Sequence, residues 1–289
     1  MYIMELPGLA AGQLYLEKDT QMEAYTTLYG DLDIAYQQAH CGPFDDLSCR
    51  GDDVTVIAAI QDNTITGFGR PVVAFGNPRA LKKEAQRLYG ISHSIWSQDY
   101  LINGELSAFS KFLLSKGAIA TPFYTQVIDL TKHGLHADIR KSYTSLINAR
   151  FEHVIIGTDR YLLEMLKQLY YLNVPNPRPE STWEVQRKML DAGEAFITAD
   201  IGGGGGCLSA AFFRHNSQIC HYFSGKSLDT HNSHAVVWRA ILHAKDIGMR
   251  RIDLGEQVFY PQQTKQVGIS TFKAGFGGTT QTYLRIRSY

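Results

Sequence analysis

Apolar and polar positions along this chain recur with two different periods, and the switches between them mark its elements. DVTVIAAI (Asp53 to Ile60) and GRPVVAF (Gly69 to Phe75) are dense in β-branched and apolar residues and predict strands, with helical patterns flanking them. NGELSAFSKFLLSKG has the spacing of an amphipathic helix closed by Gly117, and IATPFYTQVIDLT returns to strand character. A boundary, or a helix shared by two units, is expected close to there.

From Ile139 the alternation becomes more regular. RKSYTSLINAR predicts a helix, FEHVIIGT a short buried strand, and DRYLLEMLKQLYYLNV a helix stopped by Pro175. After the rigid PNPRPES loop, Ser181 is the expected N-cap of a helix over TWEVQRKMLDAG that ends at Gly193. EAFITADI, CLSAAFFRH and QICHYFSG follow as three candidate strands, the first two separated by the glycine run Gly202 to Gly206 and the last two by an HNSQ turn. Ser233 can cap the next helix, whose apolar stripe is Val237, Ala240, Ile241 and Ala244 and whose end is Gly248. RRIDLGE is then a strand, followed by a short helix and a last strand. This mixed order predicts α/β or α+β architecture rather than a bundle.

Composition narrows the classes. A chain of 289 residues suggests two compact units or one large α/β domain. Lys and Arg total 28, as do Asp and Glu, so the formal charge is zero and whole-chain electrostatics gives nucleic acid no support. The opening MYIMELPGLAAGQLYLEKD lacks a basic leader and carries Glu5 in its apolar stretch, which is not the pattern of a secretory signal. No run approaches the roughly 18 apolar residues of a membrane span. A cytoplasmic protein is the expectation, with Cys41, Cys49, Cys207 and Cys220 as reduced thiols.

NSHAVVWRAILHAKDIGMRRIDLGE followed by STFKAGFGGTTQTYLRIRS resembles the closing region of the FemABX-like proteins, GNAT-related transferases that add amino acids or related acyl groups to amines of cell-envelope precursors. DIRKSYTSLINAR is similar to the helix that opens the family's second GNAT-like domain. The resemblance is carried mainly by residues 127–289 and weakly by 1–126. It implies two GNAT-like halves divided there, each a mixed sheet flanked by helices, with the active site in the second.

By the same resemblance, Lys273 of the Phe-Lys-x-Gly-Phe-Gly-Gly string stabilises or positions a developing oxyanion when an amine attacks an activated acyl carbon. Gly275, Gly277 and Gly278 would let the backbone approach substrate. A solvated turn lysine is the bland alternative. Asp253 and Glu256 end the preceding strand, where either can accept a proton from an ammonium, or merely cap or form a salt bridge. Asp253 ranks first because the family motif resembles Asp-x-Gly. Arg285 and Arg287 share one face of the last strand with Tyr283, as anion ligands or as a wet edge; Arg140, Lys141 and Tyr143 read first as surface.

Several motifs fail. SGKS at Ser224 to Ser227 has Cys220 where a P-loop needs glycine, and neither His231 with His234 nor His133 with His136 has a third ligand at a recognisable spacing. No metal site and no tightly bound cofactor are expected. The glycine run separates two strands, as a hairpin tip rather than a dinucleotide loop. The acyl donor is a co-substrate, aminoacyl-tRNA or acyl-CoA. SGKSLDTHNSHA lacks the glycine spacing of an acetyl-CoA pyrophosphate loop, which weighs against acyl-CoA, while Lys226 and the helix start at Ser233 still offer positive charge. The function expected is N-acyl transfer to an amine of a peptidoglycan precursor or amino sugar. The competing reading is an inert GNAT-like domain binding an envelope precursor or protein partner. Convergence of Lys273, Asp253 and the start of the 234–248 helix on one pocket separates the two.

Overall fold

A computed structural model describes residues 30–202, 204–228, 233–259 and 264–289. The opening stretch read for a signal, and His231, lie outside these. Through the first half run α1 (Asp31–Cys41), β1 (Asp45–Asp46), β2 (Cys49–Gly51), β3 (Val54–Ile57), β4 (Ala59–Gln61), β5 (Thr64–Thr66), β6 (Val72–Gly76), α2 (Pro78–Ile91), β7 (Ser94–Asp99), α3 (Ala108–Ser115) and β8 (Ile119–Asp129). The second half continues with α4 (Lys141–Arg150), β9 (Val154–Gly157), α5 (Arg160–Asn173), α6 (Glu180–Asp191), β10 (Ala195–Ile201), β11 (Cys207–His215), β12 (Ile219–Ser227), α7 (Ser233–Asp246), β13 (Arg251–Gln257), α8 (Thr264–Ala274) and β14 (Thr279–Arg287).

Three local expectations are corrected. Asp53 to Ile60 is two strands broken at Ala58, because β3 pairs with β2 and β6 whereas β4 pairs with β1 and β5. Ser181 is not the cap of α6: Pro179 precedes the helix, its carbonyl accepts from the Thr182 N–H and hydroxyl at 3.0 and 2.6 Å, and Ser181 reaches across to the Ala39 carbonyl. FEHVIIGT opens with a 3-10 turn, and β9 lies at the sheet edge with Ile155 exposed, so it is not a buried strand.

One mixed sheet runs through the chain in the order β1-β4-β5-β7-β14-β8-β13-β12-β11-β10-β9, with β6, β3 and β2 branching from β7. The antiparallel meander β9 to β12 is followed by a parallel pairing of β12 with β13 that lasts only from Ile219–Arg251 to His221–Asp253. Past that point the two strands separate, and β13 bulges between Asp253 and Glu256, where Gly255 takes a φ of +84°. Strand β14 pairs with β8 on one side and β7 on the other, so the last strand of the chain lies between elements of both halves. Strand β8 itself spans residue 126.

Alternation assigns the faces. Phe196, Phe213, Cys220 and Ile252 point to a core closed by α4 and α7, with Trp238 at its centre. Ile197, Ala199, Ala210 and Phe212 point the other way, under α5, α6 and Tyr36 of α1. Complete burial of side chains of this size stabilises by about 1.5–3 kcal/mol each. Among the described residues no helix is long and apolar enough to cross a membrane.

Candidate functional site

On the second of these faces, helix α5 reaches β12, but neither α5 nor α6 packs on β13. Sheet positions beyond them open into a cavity of about 910 Å³. Its floor is built by alternate residues of five strands: Trp96 and Gln98 of β7, Phe123 and Thr125 of β8, His221 and Phe223 of β12, Asp253 and Gly255 of β13, Tyr283 and Arg285 of β14. Tyr170 and Arg178 wall one side, and Lys273 with Phe272 and Ile269 of α8 the other.

Lys273 sits on the last turn of α8, not in the glycine loop. Its ammonium crosses to β13, donates to the Glu256 carbonyl at 3.0 Å and lies 3.3 Å from where a side chain on Gly255 would begin. Burial lowers its pKa, opposed by the negative charges of Asp253 and Glu256. Asp253 is buried; its Oδ1 accepts from the Thr125 hydroxyl and, at 2.7 Å, from the Gly255 N–H. Beside it in strand register is His221. Burial pushes the His221 imidazole down to about 4, Asp253 pulls it up, and Arg214, Arg70 and Lys273 add to the depression, so the ring is neutral at physiological pH.

Glu256 is at the rim, 3.4 Å from Arg285. The Arg285 guanidinium lies 3.9 Å over the Phe123 ring. Arg178 donates to the Tyr36 hydroxyl at 2.9 Å and stacks over Tyr170 and Trp183, while Arg70 reaches Asp33, which also pairs with buried Arg214. Among the described residues, Arg70, Arg178, Lys226, Lys265, Lys273 and Arg285 line the cavity against two carboxylates, Asp253 and Glu256. A chain of zero net charge gathers cations here, a setting that attracts anions.

Neither a protein-family model nor a curated protein matches the chain. Solved structures do. The C-terminal domain (DUF2156) of a protein named as a lysylphosphatidylglycerol synthetase from Agrobacterium fabrum superposes with a TM-score of 0.61 at 10% identity, over 94% of this chain and 93% of that one. FemX superposes with a TM-score of 0.56 at 12% identity, over 87% and 94%. A GNAT-family acetyltransferase from Colwellia psychrerythraea gives 0.51 at 12% identity, over 89% and 94%.

The chain has the GNAT fold. At these identities the likeness is one of fold, and β12 parts from β13 after the His221–Asp253 pair, at the cavity. In this GNAT fold, Lys226, Asp253, Glu256, Lys273 and Arg285 line this cavity, whereas Ser233, Gly275, Gly277 and Gly278 do not. Ser233 opens α7 and faces the Ser209 hydroxyl at 3.4 Å.

The three glycines give way to the protein's own chain rather than facing the cavity. A side chain on Gly275 would begin 2.2 Å from the Tyr143 ring, on Gly277 2.7 Å from Asp138, and on Gly278 2.3 Å from the Val127 carbonyl. Tyr143 is accordingly buried, with its hydroxyl near the Thr271 and Phe272 carbonyls at 3.4 and 3.3 Å, and is not the surface residue expected. It pins the turn that carries Lys273.

Sequence reasoning passed over His221, Thr125, Arg70 and Arg178. His221 alternates with Cys220 and Tyr222, so periodicity places it opposite the apolar core. That the opposite face is a cavity depends on where α5 and α6 end.

Proposed function

We propose that this protein is an N-acyltransferase that moves an aminoacyl or acyl group onto an amine of a cell-envelope precursor, a peptidoglycan peptide or an amino sugar, by direct attack. The observation that carries the reading is the half-open cavity where β12 and β13 part, which Lys273 and Asp253 both line and where the Asp253 charge acts on Lys273. In the reaction the amine attacks the acyl carbon and negative charge develops on the carbonyl oxygen. The Lys273 ammonium stabilises that oxygen at low local dielectric. Asp253 and Glu256 favour the charged form of Lys273 against the effect of burial, and the Glu256 carbonyl aims it.

The cations around the cavity suit a phosphate-bearing donor or acceptor, with Lys226 and Arg285 as ligands for it. One structural neighbour is named for an aminoacylated phospholipid, which agrees with an envelope acceptor and an aminoacyl donor. Of the three groups whose convergence separates this reading from the inert-domain alternative, Lys273 and Asp253 line one cavity and Val237 of α7 reaches it, whereas Ser233 at the helix start does not; the first two count against an inert domain.

Isothermal titration with acetyl-CoA, longer acyl-CoAs and lysyl-tRNA tests the donor, and transfer to glucosamine or a lysine-containing muramyl peptide tests the acceptor. Saturable binding of lysyl-tRNA without CoA binding is expected, because the pyrophosphate loop is missing. Lys273→Ala is expected to lower transfer about 100-fold or more, the cost of losing one charge-stabilising donor; a wild-type rate in that variant refutes the assignment.

A further inference from the structure

We infer that His221 is the group that takes the proton from the acceptor nucleophile, an assignment that rests on the acyltransferase reading. Three side chains at the splay could accept it. Asp253 has one oxygen, Oδ1, committed to the Thr125 hydroxyl and the Gly255 N–H, and its charge favours the imidazolium of His221 beside it. Glu256 is turned to the rim, half-exposed and paired with Arg285. His221 lines the cavity beside Asp253, in the last register pair before β12 and β13 part, and its ring has no hydrogen-bond partner among the described residues. The ring opens onto the cavity, where a bound substrate can reach its nitrogens.

The charges facing it define its state. Arg214, Arg70 and Lys273 oppose an imidazolium and Asp253 favours one, with burial the largest effect. The ring is neutral and keeps a lone pair. As the C–N bond forms, the carbonyl π pair moves onto oxygen beside Lys273, and the nitrogen becomes cationic and more acidic than a free ammonium. It passes its proton to a ring nitrogen of His221. The oxyanion then re-forms the carbonyl, the bond from carbon to the donor's oxygen or sulfur breaks, and the leaving group receives the proton from the imidazolium. The sum is amine plus acyl donor giving amide plus protonated leaving group. The three cations make the imidazolium short-lived and favour that return.

This assignment has consequences that a structural role for His221 does not. With whichever of acetyl-CoA or lysyl-tRNA the wild type uses, His221→Gln is expected to lower kcat for transfer to glucosamine or the muramyl peptide about 100-fold or more, with KM little changed. Transfer to hydroxylamine, whose weakly basic nitrogen sheds its proton to water, should fall far less. Added imidazole should restore part of the rate of His221→Ala. Wild-type kcat in His221→Gln overturns the assignment. Equal loss with both acceptors and no rescue by imidazole also overturns it, pointing to a role in shape alone. A wild type that transfers from neither donor overturns the acyltransferase reading itself, and the assignment with it, and is read before any variant is made.

Discussion

His221 and Lys273 face the same cavity, and burial pushes both away from their charged forms. For the histidine the consequence for stability has a definite sign. An ordinary imidazole titrates near 6.5 and this one near 4, so between those values the unfolded chain binds a proton that the folded protein does not. Stability is therefore unaffected by this group above pH 6.5 and is lost progressively as pH falls toward 4. Urea unfolding from pH 7 to 4 should show His221→Gln losing less stability across that window than the wild type; parallel curves would mean that the imidazole titrates normally. For Lys273 the window lies below 10.5, where the unfolded chain again binds the extra proton and stability rises with pH.

At the scale of elements, the turn from α8 into β14 is fixed by close packing more than by flexibility. Gly277 and Gly278 both have positive φ, and the Gly277 carbonyl is held by the Gln126 amide at 2.6 Å. Gly275→Ala should destabilise by about 1–3 kcal/mol, because the Tyr143 ring must move. Gly278→Ala should cost more, since its new methyl meets β8 backbone that cannot yield and the φ of +81° is strained for alanine. Urea midpoints rank the two, and the order reversed would contradict this packing. Combined with Tyr143→Ala, Gly275→Ala should be less than additive, because the ring it strikes is gone.

For the whole molecule, β14 is the joint. It pairs with β8 along its full length and with β7 from Leu284 to Arg287, and Tyr283 packs with Tyr100, Phe75 and Ile219 in a cluster drawn from both halves. Two halves sharing a central strand should unfold together. Variants retaining only Trp96, in β7, or only Trp238, in α7, should therefore lose their native fluorescence at the same urea concentration. Separate midpoints would show halves that unfold independently.

Local chemistry made much of this legible. The strand and helix periods, the turn at Asn216, the ends at Gly117 and Gly248 and the segment bearing Lys273 depend on interactions a few residues apart, and the chain carries them openly. The sequence also placed Arg285 on one face of the last strand with Tyr283, and both line the cavity. It could not show that the glycines after Lys273 yield to Tyr143, Asp138 and Val127, or that His221 stands beside Asp253, or that six cations meet in one cavity. Those facts arise from pairing between strands far apart in the chain and from where helices stop covering a sheet. Side-chain periodicity says which residues share a face, and only the assembled sheet decides whether that face meets a helix, solvent or a cavity.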